Sequence, residues 1–214
     1  MFYIEVVKET FLTILRDKTT NLRGFREAAR NLCALIAAEA ALQIPLSPHP
    51  IETPLAPAKG AQLNQRIVLL PILRAGMVFL PPFLDLFPDA PVGFFGMRRE
   101  EKTARPFLYY ENLPPLSPTD RIFLLDPMLA TGGSATLALR KLHEKKVNLS
   151  NLTLVTILAA KPGIAAVQKA FPQVTIYAAA IDEALDQNHF IVPGLGDFGD
   201  RFFGTELQRT DHSR

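Results

Sequence analysis

Tryptophan is absent from the 214 residues, and cysteine occurs only once. A single cysteine, Cys33, excludes an internal disulfide framework and any zinc site built on several thiolates. It falls in an apolar stretch, which marks it as an inert core thiol rather than a nucleophile. The four histidines, His49, His143, His189 and His212, show no metal-ligand spacing and no nucleophile-elbow context. A surplus of one charge is missing too: 23 basic and 21 acidic residues leave a net +2. That is too near zero to argue for nucleic acid or an anionic membrane surface. No apolar run is long enough to span a bilayer. The N-terminus, MFYIEVVKETF, carries Glu5, Lys8 and Glu9 where a signal peptide needs an apolar stretch. There is no internal repeat and no low-complexity segment. What remains is 48% hydrophobic and 21% charged, the balance of a soluble, cytoplasmic protein with a sizeable core.

Along residues 20–43, Leu22, Phe25, Ala29, Leu32, Ile36 and Ala40 recur at helical spacing, with Thr20 or Asn21 as N-cap. Pro45, Pro48, Pro50, Pro54 and Pro57 then forbid a helix and imply an extended arm or loop. From residue 66 the pattern changes. RIVLLP (66–71), APVGFFG (90–96), RIFLLD (121–126), LTLVTILAA (152–160) and VTIYAAA (174–180) read as strands. They are apolar throughout rather than alternating, which suits a parallel sheet covered on both faces. Helices are predicted at 76–87, 134–146 and 163–171, the last stopped by Pro172. The fold class is therefore α/β, a mainly parallel sheet in right-handed βαβ units. The last ten residues, TELQRTDHSR, are polar and are expected to fray.

Ligands of open α/β sheets bind at the carboxyl ends of the strands, and four segments stand there. In DPMLATGGS, Asp126 to Ser134, a strand ends in an acid and a proline before twin glycines and a helix. Gly132 and Gly133 allow main-chain N–H groups to converge, and the helix start adds its own. Thr131, Ser134 and Thr136 supply hydroxyls, while Asp126 suits sugar hydroxyls or a magnesium shell. Composition alone leaves two readings equal: a phosphate cradle, or a plain βα turn with an N-cap. A Walker loop is excluded, because no Gly-Lys-Ser/Thr is present. In PILRAG, 71–76, Arg74 stands beside Gly76 at a strand end, placed either to grip a polyphosphate or to cap a turn. In GMRREEKTARPFLYYENLPP, 96–115, Arg98, Arg99, Lys102 and Arg105 alternate with Glu100 and Glu101 before Tyr109 and Tyr110. Its length and lack of period suit a lid, or else a solvated charge run. In IVPGLGDFGDRFFGT, 191–205, Gly194, Gly196 and Gly199 spell a dinucleotide fingerprint, but no helix and no ribose-binding acid are expected after it. A glycine-rich loop flanked by Ile191 and Phe198 instead suits a flat heterocycle read by main-chain groups.

These segments together resemble the uracil phosphoribosyltransferases, in register from about residue 14 to 205. DPMLATGGS resembles the family's loop for phosphoribosyl diphosphate (PRPP), PILRAG its pyrophosphate loop, and PGLGDFGDRFFGT its uracil loop. RPFLYYENLP resembles the family's flexible β-arm, here including Tyr109 and Tyr110, and LRDKTTNLRGFREAARNL the entry to the N-terminal helix. The resemblance implies a type I phosphoribosyltransferase fold in one domain. A core over about 61–181 would carry a hood from about 1–60 and 182–205 and a frayed tail, 206–214. It implies PRPP contacts at Arg74, Arg99, Asp126, Pro127, Met128, Leu129, Ala130, Thr131, Gly132, Gly133, Ser134 and Asp197. Asp126, Arg74 and Arg99 would act in catalysis. Uracil contacts would fall on Ile191, Gly196, Asp197 and Phe198. Mg²⁺ is the implied cofactor, held mainly through PRPP rather than by direct protein ligands. Family members are commonly homodimers or larger, and some respond to GTP. Phe198 departs from the alanine of many members, and is expected to reshape the pocket wall. Asn112 and Arg105 depart from the usual lysine and proline of the arm. Other readings are an RNA-binding regulator, a purine or orotate enzyme, and a non-catalytic nucleotide binder.

Overall fold

The runs that are apolar throughout do form the centre of the sheet. The computed structural model describes residues 2–99 and 106–205. It begins with helices α1 (Phe2–Arg16) and α2 (Leu22–Ala41), then strands β1 (Leu46–Glu52), β2 (Pro57–Leu63) and β3 (Ile67–Leu73). A 3₁₀ turn (Ala75–Phe79) runs into α3 (Leu80–Leu86), followed by β4 (Phe94–Arg99), β5 (Pro106–Asn112), β6 (Arg121–Leu125) and β7 (Met128–Leu129). Next come α4 (Gly133–Glu144), β8 (Leu152–Ala160), α5 (Lys161–Ala170) and β9 (Thr175–Asp182). The described chain closes with β10 (Ala184–Leu185), β11 (Ile191–Val192) and α6 (Phe198–Phe203). No described helix is long and apolar enough to cross a membrane.

The main sheet runs β5-β4-β3-β6-β8-β9, with β7 beside β8 beyond the end of β6. All neighbours are parallel except β4 and β5. Every residue of β6 and β8 is buried, because helices cover both faces. The period of two divides the strands between two cores. Leu69, Phe123, Leu125 and Val155 face α2 and α3, whereas Val68, Leu70, Ile122 and Leu154 face α4 and α5. On the first face Phe83 packs 5.0 Å from Phe123 and Phe25 packs 5.4 Å from Phe198. Cys33 is fully buried there, and burial pushes its thiol well above the ordinary range.

Helix α2 starts where its pattern says, with Asn21 Oδ1 accepting from the Gly24 N–H at 2.9 Å. Helix α1 has no counterpart in the sequence reading. It is held by Lys8, which donates to Glu5 and Glu39, and Glu39 also accepts from the Tyr177 hydroxyl of β9.

Of the two readings of the proline-rich stretch the extended arm holds: it is a β1–β2 hairpin standing apart from the main sheet. Its pairing explains how a strand tolerates prolines. Pro48 faces Ala61, Pro50 faces Lys59 and Pro57 faces Glu52, all pairs of one parity. Antiparallel pairs alternate between bonded and non-bonded, and residues that lack an N–H fit only the non-bonded set. Pro48 and Pro50 also remove two donors from the outer edge of β1 and blunt it against further strand addition.

Two other boundaries differ from expectation. The strand read at 90–96 begins only at Phe94, Val92 making a single bridge to Leu69, and it continues through Arg99. The segment 96–115 is built as the β-arm that the resemblance implies rather than as a long loop: β4 and β5 pair antiparallel. Positions 100–105, with Glu100, Glu101, Lys102 and Arg105, lie outside the described residues, as do the side chain of Arg99 and the tail 206–214.

Candidate active site

Strand β6 stops because Asp126-Pro127 breaks its register, yet the chain keeps its place beside β8. The Asp126 N–H donates to Val155 O at 3.1 Å, and Pro127 O accepts from Ile157 and Leu158. Strand β7 then resumes the pairing, Met128 with Leu158. This brief return delivers residues 130–134 to the carboxyl rim of the sheet, at the start of α4.

At that start Gly132 has φ +77°, the left-handed region that favours glycine. A Cβ there would also stand 2.8 Å from Gly163 O of α5. The turn aims the first amides of α4 into an open hollow lined by Asp126 and residues 128–135. Gly133 N–H donates weakly to Thr131 Oγ1 at 3.3 Å, and Thr136 N–H closes on Gly132 O. The N–H groups of Ser134 and Ala135 find no protein acceptor among the described residues. These are the orphan donors of a helix start, with the positive end of its dipole behind them. Pro127, Leu129 and Ala130 are buried, so they can offer a ligand only main chain. Thr131, Ser134 and the carboxylate of Asp126 are partly accessible.

Two neighbours complete the rim. Gly76 packs so closely on the end of β6 that a Cβ would lie 2.3 Å from Leu125 O. The turn carrying Arg74 is thereby held against the Asp126 loop. The Leu73–Arg74 peptide is cis. The Arg74 side chain is 59% exposed, its Nη2 lies 3.7 Å from Asp200 Oδ1, and its guanidinium sits over the Phe203 ring. From the other side, Pro106 of β5 approaches the position a Gly133 Cβ would take to 3.3 Å. Tyr109 and Tyr110 are exposed on the same strand.

The C-terminal glycine loop arches in from α6. Contrary to the sequence expectation, a helix does follow it, although only six residues long. The dinucleotide reading still fails, because β11 pairs only with β10, outside the main sheet. Asp197 Oδ1 caps the helix by accepting from the Asp200 N–H at 2.9 Å. Gly196 is exposed, and between 194 and 197 it alone keeps both N–H and C=O unpaired among the described residues. Ile191 is buried beneath the loop. The Phe198 ring is 2% exposed and packed between Phe25 and Phe202, within the core.

The rim thus carries a cradle of free amides, a carboxylate and an exposed arginine, and the arginine pairs with α6, which follows the unpaired main-chain edge of Gly196. The model of the family described as uracil phosphoribosyltransferase matches residues 5–205. The chain belongs to that family. A uracil phosphoribosyltransferase of Roseiflexus castenholzii is 46% identical over 194 residues, 91% of this chain and 92% of that one. A solved structure of an Aquifex aeolicus protein aligns with a TM-score of 0.84 and 35% identity, over 92% of this chain and 94% of the other. The Trypanosoma brucei adenine phosphoribosyltransferase, solved with AMP, pyrophosphate and ribose-5-phosphate, aligns at TM-score 0.50 and 13% identity, over 80% and 69% of the two chains. At that identity the likeness extends to the fold alone, a type I phosphoribosyltransferase sheet with flanking helices.

The sequence reading missed Arg16, Asp182 and Arg201. Each binds main chain of the 194–197 loop or a partner that does. Arg16 and Arg201 stand inside stretches quoted for the resemblance. Asp182 had no local signal beyond its place at a strand end.

Proposed function

We propose that the protein transfers a phosphoribosyl group from PRPP to uracil, releasing UMP and pyrophosphate. The observation that carries this reading is the α4 amide cradle beside Asp126, in a member of this family, with Arg74 on the adjoining turn paired to α6, the helix that follows the open edge of Gly196. The 5′-phosphate would rest on the N–H groups of Gly133, Ser134 and Ala135 and the hydroxyls of Thr131 and Ser134. Asp126 would hold ribose hydroxyls. Arg74 would leave Asp200 for the departing pyrophosphate, and Arg99 would approach it from the end of β4. Breaking the bond at the anomeric carbon early gives an oxocarbenium-like ribose, as in glycoside transfer. The protein then acts chiefly by positioning and by charge stabilisation.

Mg²⁺ fits this arrangement in one way. Among the described residues no group of three or more His, Cys, Asp or Glu stands ready to hold a metal. A magnesium ion would take its oxygens from PRPP and water, with Asp126 the nearest carboxylate to the cradle, and would neutralise diphosphate charge. The deciding experiment incubates the protein with Mg·PRPP and a panel of nucleobases. UMP from uracil alone is the expected product; IMP, AMP, OMP or no nucleotide at all would refute the assignment.

A homodimer, or a larger assembly, is proposed on the β1–β2 hairpin. The cross-strand pair Leu46 and Leu63 is exposed on one face of the hairpin, Ile51 on the other, and Leu55 at its tip is 96% exposed, apolar side chains that an interface would cover. Light scattering should give the mass of at least two chains, and Leu55→Asp should shift it toward one. A monomeric wild type would overturn the proposal. A GTP effector rests on the family resemblance alone, and GTP titration into the same assay tests it.

A further inference from the structure

We propose that the ion pair between Arg16 and Asp182 is a positioning device. It sets where the open Gly196 edge meets the base, and so governs uracil affinity rather than the chemical step. The inference rests on the uracil reading above and adds residues to it.

Gly194 is held at both of its main-chain groups. Its N–H donates to Asp182 Oδ2 at 2.8 Å, and its C=O accepts from Arg16 Nη1 at 2.8 Å. The two side chains are themselves joined as a fork, Nη1 to Oδ2 at 2.8 Å and Nη2 to Oδ1 at 2.7 Å. Planar, doubly bonded pairs of this kind fix direction as well as distance. Each partner is anchored on a different element. Asp182 is the last residue of β9 and 7% exposed, and Arg16 is the last residue of α1. The Arg16 guanidinium holds the carboxyl below the ordinary aspartate range, against burial, with the Gly194 amide helping. Gly194 has no substitute, since its φ is +62° and a Cβ would stand 2.0 Å from Ile191 O.

Two residues later comes Gly196. A second arginine secures the stretch between: Arg201 donates to Leu195 O and also to the carbonyls of Leu15 and Asp17, on either side of Arg16. Gly194 N–H and C=O, Leu195 C=O and Asp197 C=O are all engaged within the protein. The unpaired groups of Gly196 consequently have no freedom of their own. Their place relative to the sheet is that of the clamp. No hydrogen bond joins Arg16 or Asp182 to residues 126–134 or to Arg74 among the described residues. The clamp therefore reaches the base side of the site and leaves the phosphate cradle alone.

The test compares wild type with Asp182→Asn, Arg16→Ala and Arg16→Lys by initial rates in uracil and in PRPP. Asp182→Asn keeps the shape but turns one acceptor into a donor facing Arg16. Its KM for uracil should rise tenfold or more, with kcat and the KM for PRPP changed less than threefold. Arg16→Ala should do the same, and Arg16→Lys, which keeps the charge but loses the fork, should recover part of the loss. A merely structural role would instead lower kcat through the active fraction and leave the uracil KM unmoved. That result, or a parallel rise in both KM values, overturns the proposal. Should Asp182→Asn or Arg16→Ala fail to fold, the milder Arg16→Lys still decides, by the same split between uracil and PRPP. The wild-type control separates the two readings. No UMP from wild type removes the proposed function and the clamp with it, whereas an active wild type with unshifted variants removes the clamp alone.

Discussion

Cytosine should be converted at least about ten-thousandfold less efficiently than uracil, measured as kcat/KM with saturating Mg·PRPP. Neither base carries a charge, so selection falls to hydrogen bonds. Uracil presents an N3–H donor between two carbonyl acceptors, whereas cytosine presents an N3 acceptor beside an amino donor. The polarity of the edge is reversed at two adjacent atoms. On the proposed reading the facing groups are main chain, since Gly196 keeps one N–H and one C=O open among the described residues. A side-chain amide can flip to suit either base, but a peptide group cannot. It is held here by Gly194 on one side and by the capped helix α6 on the other. A wrong base leaves donors facing donors in a desolvated site, and each unpaired buried group costs about 1–3 kcal/mol. Two mismatches on each side of the interface reach the stated factor. Comparable turnover of the two bases would show that this edge does not read the substrate.

Arg74→Ala should lower kcat about a hundredfold, corresponding to about 3 kcal/mol of lost transition-state stabilisation. Little holds this side chain. It is 59% exposed, and its ion pair with Asp200 is long, at 3.7 Å. Its backbone, by contrast, is held against the end of β6, where a Gly76 Cβ would lie 2.3 Å from Leu125 O. A cation free to swing on a fixed base can meet charge that develops on a leaving group. The substitution removes no buried contact, so the thermal midpoint should move little. Arg74→Lys keeps the charge without the fork and should restore only part of the rate. Near-normal turnover of the alanine variant with bound Mg·PRPP would take Arg74 out of the reaction.

Several elements were legible residue by residue. The strands β3, β6 and β8 announced themselves because residues buried on both faces must be apolar at every position. Helix α2 was marked by its spacing and by Asn21, whose side chain does cap it. The DPMLATGGS turn was marked by the one residue type that accepts φ +77° at position 132. Elements whose partners are distant gave weaker signals. Helix α1 carries Lys8 on its inward side, which reads as a solvated charge until Glu39 and Tyr177 are placed around it. The β1–β2 hairpin carries prolines that argue against a strand, and only the parity of its pairing reconciles them.

The amino-acid order by itself settled which backbone can curl at the rim and which strands lie inside. Both are local properties of side-chain volume and polarity, carried by neighbours in the chain. It also marked Asp126 and Arg74 as charges at strand ends. Only the tertiary structure decided that Phe198 turns into the core against Phe25, and that Arg16 and Asp182, 166 residues apart, grip one glycine between them. Ion pairs and ring contacts of that kind depend on which elements pack together. No window along the chain contains both partners.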